Sequence, residues 1–175
     1  MRHKLSVLVE NRFGELSRIV GLFSARGLNI ESLSVAETLD PSVSRMTMVT
    51  AGDDHAIEQI TKQLNKQVRV LSALDMTDVK HIEREMALIS VNTEPGPSRQ
   101  EVLILADLYR AEIVDVSHDG ITLEATGDWD KISALVELLR PIGIREIVRT
   151  GTVAIARLTE GALGATNAAV SQSVT

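Results

Sequence analysis

One order of apolar patterns occurs twice along this chain, and that repeat constrains the fold more than any other feature. Strand-like alternation of apolar and polar side chains recurs in the first half at residues 4–10, 30–36, 45–50 and 68–75. Residues 16–26 and 57–64 carry apolar side chains at the three-and-four spacing of helices. The first half is therefore predicted to follow the order βαββαβ, which is the split-βαβ, ferredoxin-like pattern.

The second half repeats this order. A helix is predicted after Ser98, which forms a capping box with Glu101, and another is predicted after Asp128. The remaining pattern predicts strands at residues 87–92, 112–117, 121–126 and 145–156. Aligning Gly14 with Gly96 offsets the halves by 82 residues. We therefore expect an α+β protein with two tandem ferredoxin-like domains, at residues 1–78 and 85–158. A linker at residues 79–84 would join them, and a disordered tail would follow at residues 159–175.

The side chains that carry most enzyme chemistry are missing or scattered. The chain has no cysteine, which excludes disulfides and thiolate nucleophiles and fits a reducing cytoplasm. Four histidines stand apart, without metal-ligand spacing, and are expected on the solvated surface: His3, His55, His81 and His118. The net charge of −6 and the 2% aromatic content disfavour nucleic acid, and no apolar stretch approaches membrane-spanning length. These features favour binding over catalysis, with no catalytic residue and no metal in this chain.

The turn between the first strand and the first helix is the best candidate for a binding site. Segment 11–16 places Gly14 where a helix begins, and the first amides of a helix have no intrahelical acceptor. These amides and the positive end of the helix dipole can bind a carboxylate, which Gly14 has no side chain to block. The same residues also fit a plain turn in which Asn11 only caps its own helix.

Asn29 is a second polar residue at a junction, between Leu28 and Ile30. It also fits a plain turn. If two chains paired, however, Asn29 of one would face the 11–16 turn of the other. The helix amides would then bind the carboxylate of a free amino acid, and an asparagine oxygen would accept from its ammonium group. Leu16 and Ile30 would contact a small aliphatic side chain.

Several stretches of the sequence resemble a known family. V-E-N-R-F-G-E-L-S-R-I, from residue 9, and F-S-A-R-G-L-N-I-E-S-L, from residue 23, resemble the amino-acid-sensing ACT domain. With D-M-T-D-V from residue 75, H-I-E-R-E from residue 81 and R-E-M-A-L-I-S-V from residue 84, the chain is similar to the small regulatory subunits of acetolactate synthase, also called acetohydroxyacid synthase. The resemblance covers residues 1–158.

The resemblance implies a role that spacing alone does not give. The chain would be a non-catalytic, cytoplasmic subunit that forms a homodimer through its ACT domains, activates a large catalytic subunit of branched-chain amino-acid biosynthesis and makes it sensitive to feedback inhibition by valine. It would hold no cofactor itself, whereas thiamine diphosphate, Mg²⁺ and FAD are expected in the catalytic partner. Valine in this family lies where two ACT domains meet, which carries over to Asn11, Gly14, Glu15 and Leu16 of one chain and to Asn29 and Ile30 of the other.

The second half departs from this pattern at the equivalent turn. Pro95 and Pro97 lack amide donors there and Glu94 repels a carboxylate, so we expect no valine site in this half. Its surface is expected to be structural or to contact the catalytic subunit.

Two other functions share the ferredoxin-like layout. One is a stand-alone ACT-type regulator of another enzyme or of gene expression. The other is an acylphosphatase-like activity using Asn11 and Arg12, which the lack of a glycine-rich phosphate loop disfavours.

Overall fold

A computed structural model describes residues 1–158 of the chain and divides them into two compact units. The first unit contains residues 1–82 and the described residues from 154 onward, and the second contains residues 83–153. The predicted tail, residues 159–175, lies outside the described residues.

The first unit has the predicted order, with β1 (Arg2–Glu10), α1 (Glu15–Ser24), β2 (Ile30–Glu37), β3 (Val43–Ala51), α2 (Asp54–Leu64) and β4 (Val70–Asp75). Its antiparallel sheet has the order β2-β3-β1-β4, so β2 and β4 are edge strands. Both helices pack on one face, around a core in which Leu5, Phe23, Met48 and Ile60 are fully buried. Ile19 and Phe23 are the residues of α1 that lie in this core.

The second unit repeats that topology. Its elements are β5 (His81–Asn92), whose first two residues still belong to the first unit, α3 (Pro97–Tyr109), β6 (Glu112–Val116), β7 (Gly120–Gly127), α4 (Trp129–Leu139) and β8 (Ile144–Arg149). A last strand, β9 (Val153–Ala156), begins at the final residue of this unit and continues in the first unit. The sheet order is β6-β7-β5-β8, with β9 also paired to β5. The central strands even share an irregularity, at Leu8/Val9 in β1 and at Ser90/Val91 in β5. The predicted ferredoxin-like α+β fold and its duplication are therefore confirmed.

Three predicted boundaries are corrected. β5 begins at His81 instead of at residue 87, because this charged stretch continues a strand whose extra partner, β9, is remote in sequence. The predicted final strand is two strands, since Gly151 has a φ of 78° and interrupts the extended backbone between β8 and β9. The fourth predicted strand begins at Val70 instead of at residue 68.

Two of the four helices in residues 1–158 begin with a side-chain cap. Asp53 accepts a hydrogen bond from the Ala56 amide (2.7 Å) at the start of α2, and Asp128 accepts one from the Lys131 amide (2.8 Å) at the start of α4. The predicted Ser98 capping box is wrong, because α3 follows Gly96 and has no side-chain cap within residues 1–158. No helix in the described part of the chain is long and apolar enough to cross a membrane.

Candidate functional site

The first turn of α1 has unoccupied amide donors. Gly14 precedes the helix with φ 84° and ψ −10°, and no side chain of residues 1–158 caps it. The first helical hydrogen bond runs from the Arg18 amide to the Gly14 carbonyl (2.9 Å), and the Glu15 amide donates to the Arg12 carbonyl (3.3 Å), which leaves the amides of Leu16 and Ser17 as the free donors of this turn. A Cβ at Gly14 would meet no described atom within 4 Å. The start of α1 is therefore open to a ligand that accepts hydrogen bonds, such as a carboxylate.

Asn11 joins this turn to the end of β2 and to the β2–β3 hairpin. Its Nδ2 donates to Glu37 Oε1 (2.9 Å) and to the Pro41 carbonyl (3.0 Å). Its backbone amide donates to the Ser42 carbonyl (2.6 Å). Because both side-chain N–H bonds are directed at acceptors, Oδ1 is the atom of Asn11 that can accept from a ligand ammonium. The side chain therefore fits an ammonium better than a carboxylate.

The β2–β3 hairpin is itself held by hydrogen bonds. Asp40 Oδ1 accepts from the Ser42 hydroxyl (2.7 Å) and from the Ser42 amide (2.9 Å). These bonds, the side-chain one first, hold the pKa of the Asp40 carboxyl below its usual value. The ionised Asp40 therefore fixes the hairpin whose carbonyls receive the Asn11 side chain and amide.

The carboxylate of Glu15 does not face the open end of the helix. Glu15 is only 2% exposed, and its Oε1 lies 2.9 Å from Arg69 Nη1 and 3.4 Å from Arg18 Nη1. The Arg69 carbonyl also accepts from the Glu10 amide (2.9 Å), so Arg69 connects α1, β1 and the start of β4. Sequence reasoning missed Arg69 because it is 54 residues from Glu15. Arg18 carried a local signal, since it lies three residues after Glu15 on the same helix.

Within one chain, the predicted site residues form two separate groups. Leu16 is 45% exposed beside Gly14, at the end of the unit where Asn11 contacts Glu37. Asn29 is exposed at the opposite end of β2, with its backbone carbonyl accepting from the Thr50 hydroxyl (2.7 Å), and Ile30 beside it packs partly against the core. Eight residues of strand separate the groups by about 23 Å. A single chain therefore does not bring them to one small ligand.

The corresponding turn of the second unit is bound by a side chain of the same chain. Arg99 Nη2 lies 2.7–2.8 Å from the backbone carbonyl oxygens of Thr93, Ser117 and His118. The Thr93 amide also donates to the Asp119 carbonyl (2.9 Å). Arg99 thus holds the turn against the β6–β7 hairpin, as Asn11 does in the first unit. The two turns are alike in backbone position and different in the groups that they offer to a ligand.

The histidines are placed as predicted at some positions and not at others. His55 and His118 are exposed, and His81 is half-buried. His3 is only 3% exposed, with Nδ1 3.2 Å from Asp75 Oδ2 and Nε2 3.4 Å from Asp54 Oδ1. The surface prediction for His3 is therefore wrong, because strand alternation puts this side chain on the face that α2 covers. No group of three or more metal-binding side chains is assembled within residues 1–158.

Comparison with known proteins gives one consistent family. Residues 84–158 match the family described as small subunit of acetolactate synthase, and residues 5–72 match the AHAS small subunit-like ACT domain. The acetolactate synthase small subunit of Aquifex aeolicus (strain VF5) is 49% identical over 156 residues, which cover 89% of this chain and 81% of the relative. A probable acetolactate synthase small subunit of Archaeoglobus fulgidus is 48% identical over 157 residues, which cover 90% of this chain and 98% of the relative.

A solved structure agrees with these sequence matches. The crystal structure of the acetolactate synthase small subunit from Thermotoga maritima superposes with a TM-score of 0.80 at 38% identity, covering 91% of this chain and 99% of the other. Both units of the fold are therefore accounted for by one known architecture. The family matches over residues 5–72 and 84–158 and the relatives at 48–49% identity therefore show that this chain belongs to the family of acetolactate synthase small subunits.

Proposed function

We propose that this chain is the regulatory subunit that activates a thiamine-diphosphate-dependent acetolactate synthase catalytic subunit and makes it sensitive to valine. The effector binds between two copies of the first unit. Asn11, Gly14, Glu15 and Leu16 come from one copy, and Asn29 and Ile30 come from the other. The catalytic partner, with thiamine diphosphate, Mg²⁺ and FAD, carries out the chemistry.

The observation that carries this proposal is the separation of the two groups along β2. Asn11 contacts Glu37 at one end of this edge strand, and Asn29 lies at the other end, about 23 Å away. A two-fold antiparallel pairing of β2 strands would place the beginning of one strand beside the end of its copy. Two equivalent composite sites would result, which is why we expect a homodimer.

Each part of a small aliphatic amino acid then has a matching group. The free amides at the start of α1 donate to the carboxylate, and Asn11 Oδ1 accepts from the ammonium. The side chain of Asn29 approaches the same ammonium from the other copy. Leu16, at 45% exposure, supplies apolar contact for an aliphatic side chain. The proposed contact side chains, Leu16 and Ile30, are aliphatic, which favours an aliphatic amino acid such as valine.

Valine inhibits only if it binds the inhibited arrangement of the complex more tightly than the active one, since equal affinity shifts no equilibrium. A ligand that joins two copies has this property when the pairing of the copies differs between the two arrangements. A coupling free energy of about 1–3 kcal/mol is typical of allosteric effectors. Activation without valine needs no occupied site.

The test is reconstitution of the chain with the catalytic subunit from the same organism, assayed for acetolactate formation with and without valine. We expect the chain to raise the activity and valine to reverse that gain. Sedimentation of the isolated chain should give a dimer, and calorimetric titration should give one valine per chain. A chain that copurifies with no catalytic subunit and leaves acetolactate formation unchanged would contradict the proposal.

A further inference from the structure

The proposed effector turn consists of residues 11–16. Glu15 is unusual among them because its charged side chain is buried. It is the first residue of α1, yet it is only 2% exposed. Two guanidinium groups lie within ion-pair distance of Oε1: Arg69 at 2.9 Å and Arg18 at 3.4 Å. The Arg69 side chain is 38% exposed and that of Arg18 is 51% exposed, so Arg69 is the closer and the more buried partner.

An acidic side chain in the first turn of a helix normally interacts with the free amides and the positive end of the dipole. At this turn such an interaction would compete with a ligand carboxylate, and the like charges would repel each other. The Arg69 contact instead directs the carboxylate inward, toward the start of β4.

We infer that Arg69 is a positioning residue for the effector: by binding the buried Glu15 carboxylate, it reserves the amides of α1 for the carboxylate of the amino acid. This inference rests on the proposed function. It also assigns Glu15 a role that does not involve contact between its carboxylate and the ligand. Arg69 acts through Glu15, so its importance depends on the charge at position 15.

The test is calorimetric titration of the full chain with L-valine. We compare the wild type with Arg69→Met, Glu15→Gln, the double variant and Arg69→Lys. Arg12→Met is the matched control, because Arg12 lies in the same turn and pairs with Glu10 (2.9 Å) while 66% exposed. We expect Arg69→Met to raise the Kd at least tenfold and Arg12→Met to change it less than twofold. In the Glu15→Gln background, Arg69→Met should change the Kd less than threefold. With Glu15 in place, Arg69→Lys should recover most of the affinity that Arg69→Met loses.

Activation of the catalytic subunit by each variant shows whether a loss of valine affinity comes from a lost positioning role or from a misfolded chain. Arg69→Met should activate like the wild type and require at least tenfold more valine for inhibition. An unchanged Kd in Arg69→Met, an equal loss with and without the Glu15 charge, or joint loss of activation and affinity in both position-69 variants would overturn the inference alone. A wild-type chain that binds no valine would overturn the proposed effector, and this inference with it.

Discussion

Gly14 provides the sharpest test of the effector turn, because two nearly isosteric substitutions there differ only in charge. Gly14→Asp places a carboxylate beside the open amides of α1, whereas Gly14→Asn places a neutral amide there. Both side chains have space, since a Cβ at this position meets no described atom within 4 Å. Both also adopt positive φ more readily than most residues, so the strain from the φ of 84° is nearly the same in each.

The expected difference in valine affinity between the two variants follows from this difference in charge. Shared backbone strain costs each variant about 1 kcal/mol of stability. Two like charges about 5 Å apart repel by about 3 kcal/mol at an effective dielectric constant of 20 and by about 0.8 kcal/mol in water. Gly14 is exposed, so we expect about 1–3 kcal/mol, which corresponds to roughly 5–150-fold weaker valine binding by Gly14→Asp than by Gly14→Asn.

Two assays measure this difference. Calorimetry gives the valine Kd of each variant, and reconstitution gives the valine concentration that halves acetolactate formation. Gly14→Asp should remain an activator and should need roughly 5–150-fold more valine for half-inhibition than Gly14→Asn, which should retain most of the valine response. Equal Kd values for the two variants would refute the electrostatic reasoning, and full valine sensitivity in Gly14→Asp would refute the site itself.

Three further substitutions test other parts of the structure. Asn29→His should abolish valine inhibition and leave the thermal midpoint unchanged, because the hydrogen bond of Asn29 to Thr50 uses its backbone carbonyl; a normal response to valine would argue against the two-chain site. Arg99→Met should destabilise the second unit by about 2 kcal/mol in denaturant unfolding, through its three lost carbonyl contacts, without changing the valine Kd. Asp128→Ala should lower the free energy of unfolding by about 1 kcal/mol, because it removes the cap of α4. Asp130 is an exposed acidic residue in the same turn, and Asp130→Ala should lower the free energy of unfolding by less than half as much.

The sequence by itself determined the order of elements and much of the core. Period-two and three-and-four spacing depend on neighbours within one element, so the burial of Ile57, Ile60 and Leu64 on one face of α2 could be predicted. The Asp128 cap and the Asp119-Gly120 hairpin turn were predictable for the same reason, since each involves groups only a few residues apart. The glycine at the start of α1 was also visible as a local pattern, whereas the absence of a side-chain cap was not, because Asn11 fitted a cap as well as a ligand contact.

Other features depended on residues that only the tertiary structure brings together. The Glu15–Arg69 pair spans 54 residues, and the burial of His3 beside Asp75 spans 72. The start of β5 at His81 involves pairing with β9, which lies more than 70 residues later. A local pattern predicts that a side chain is charged or apolar, but the sheet order decides which charge lies opposite it. The sequence therefore indicated where a carboxylate could bind, whereas the fold decided that Arg69 keeps the protein's own carboxylate away from that place.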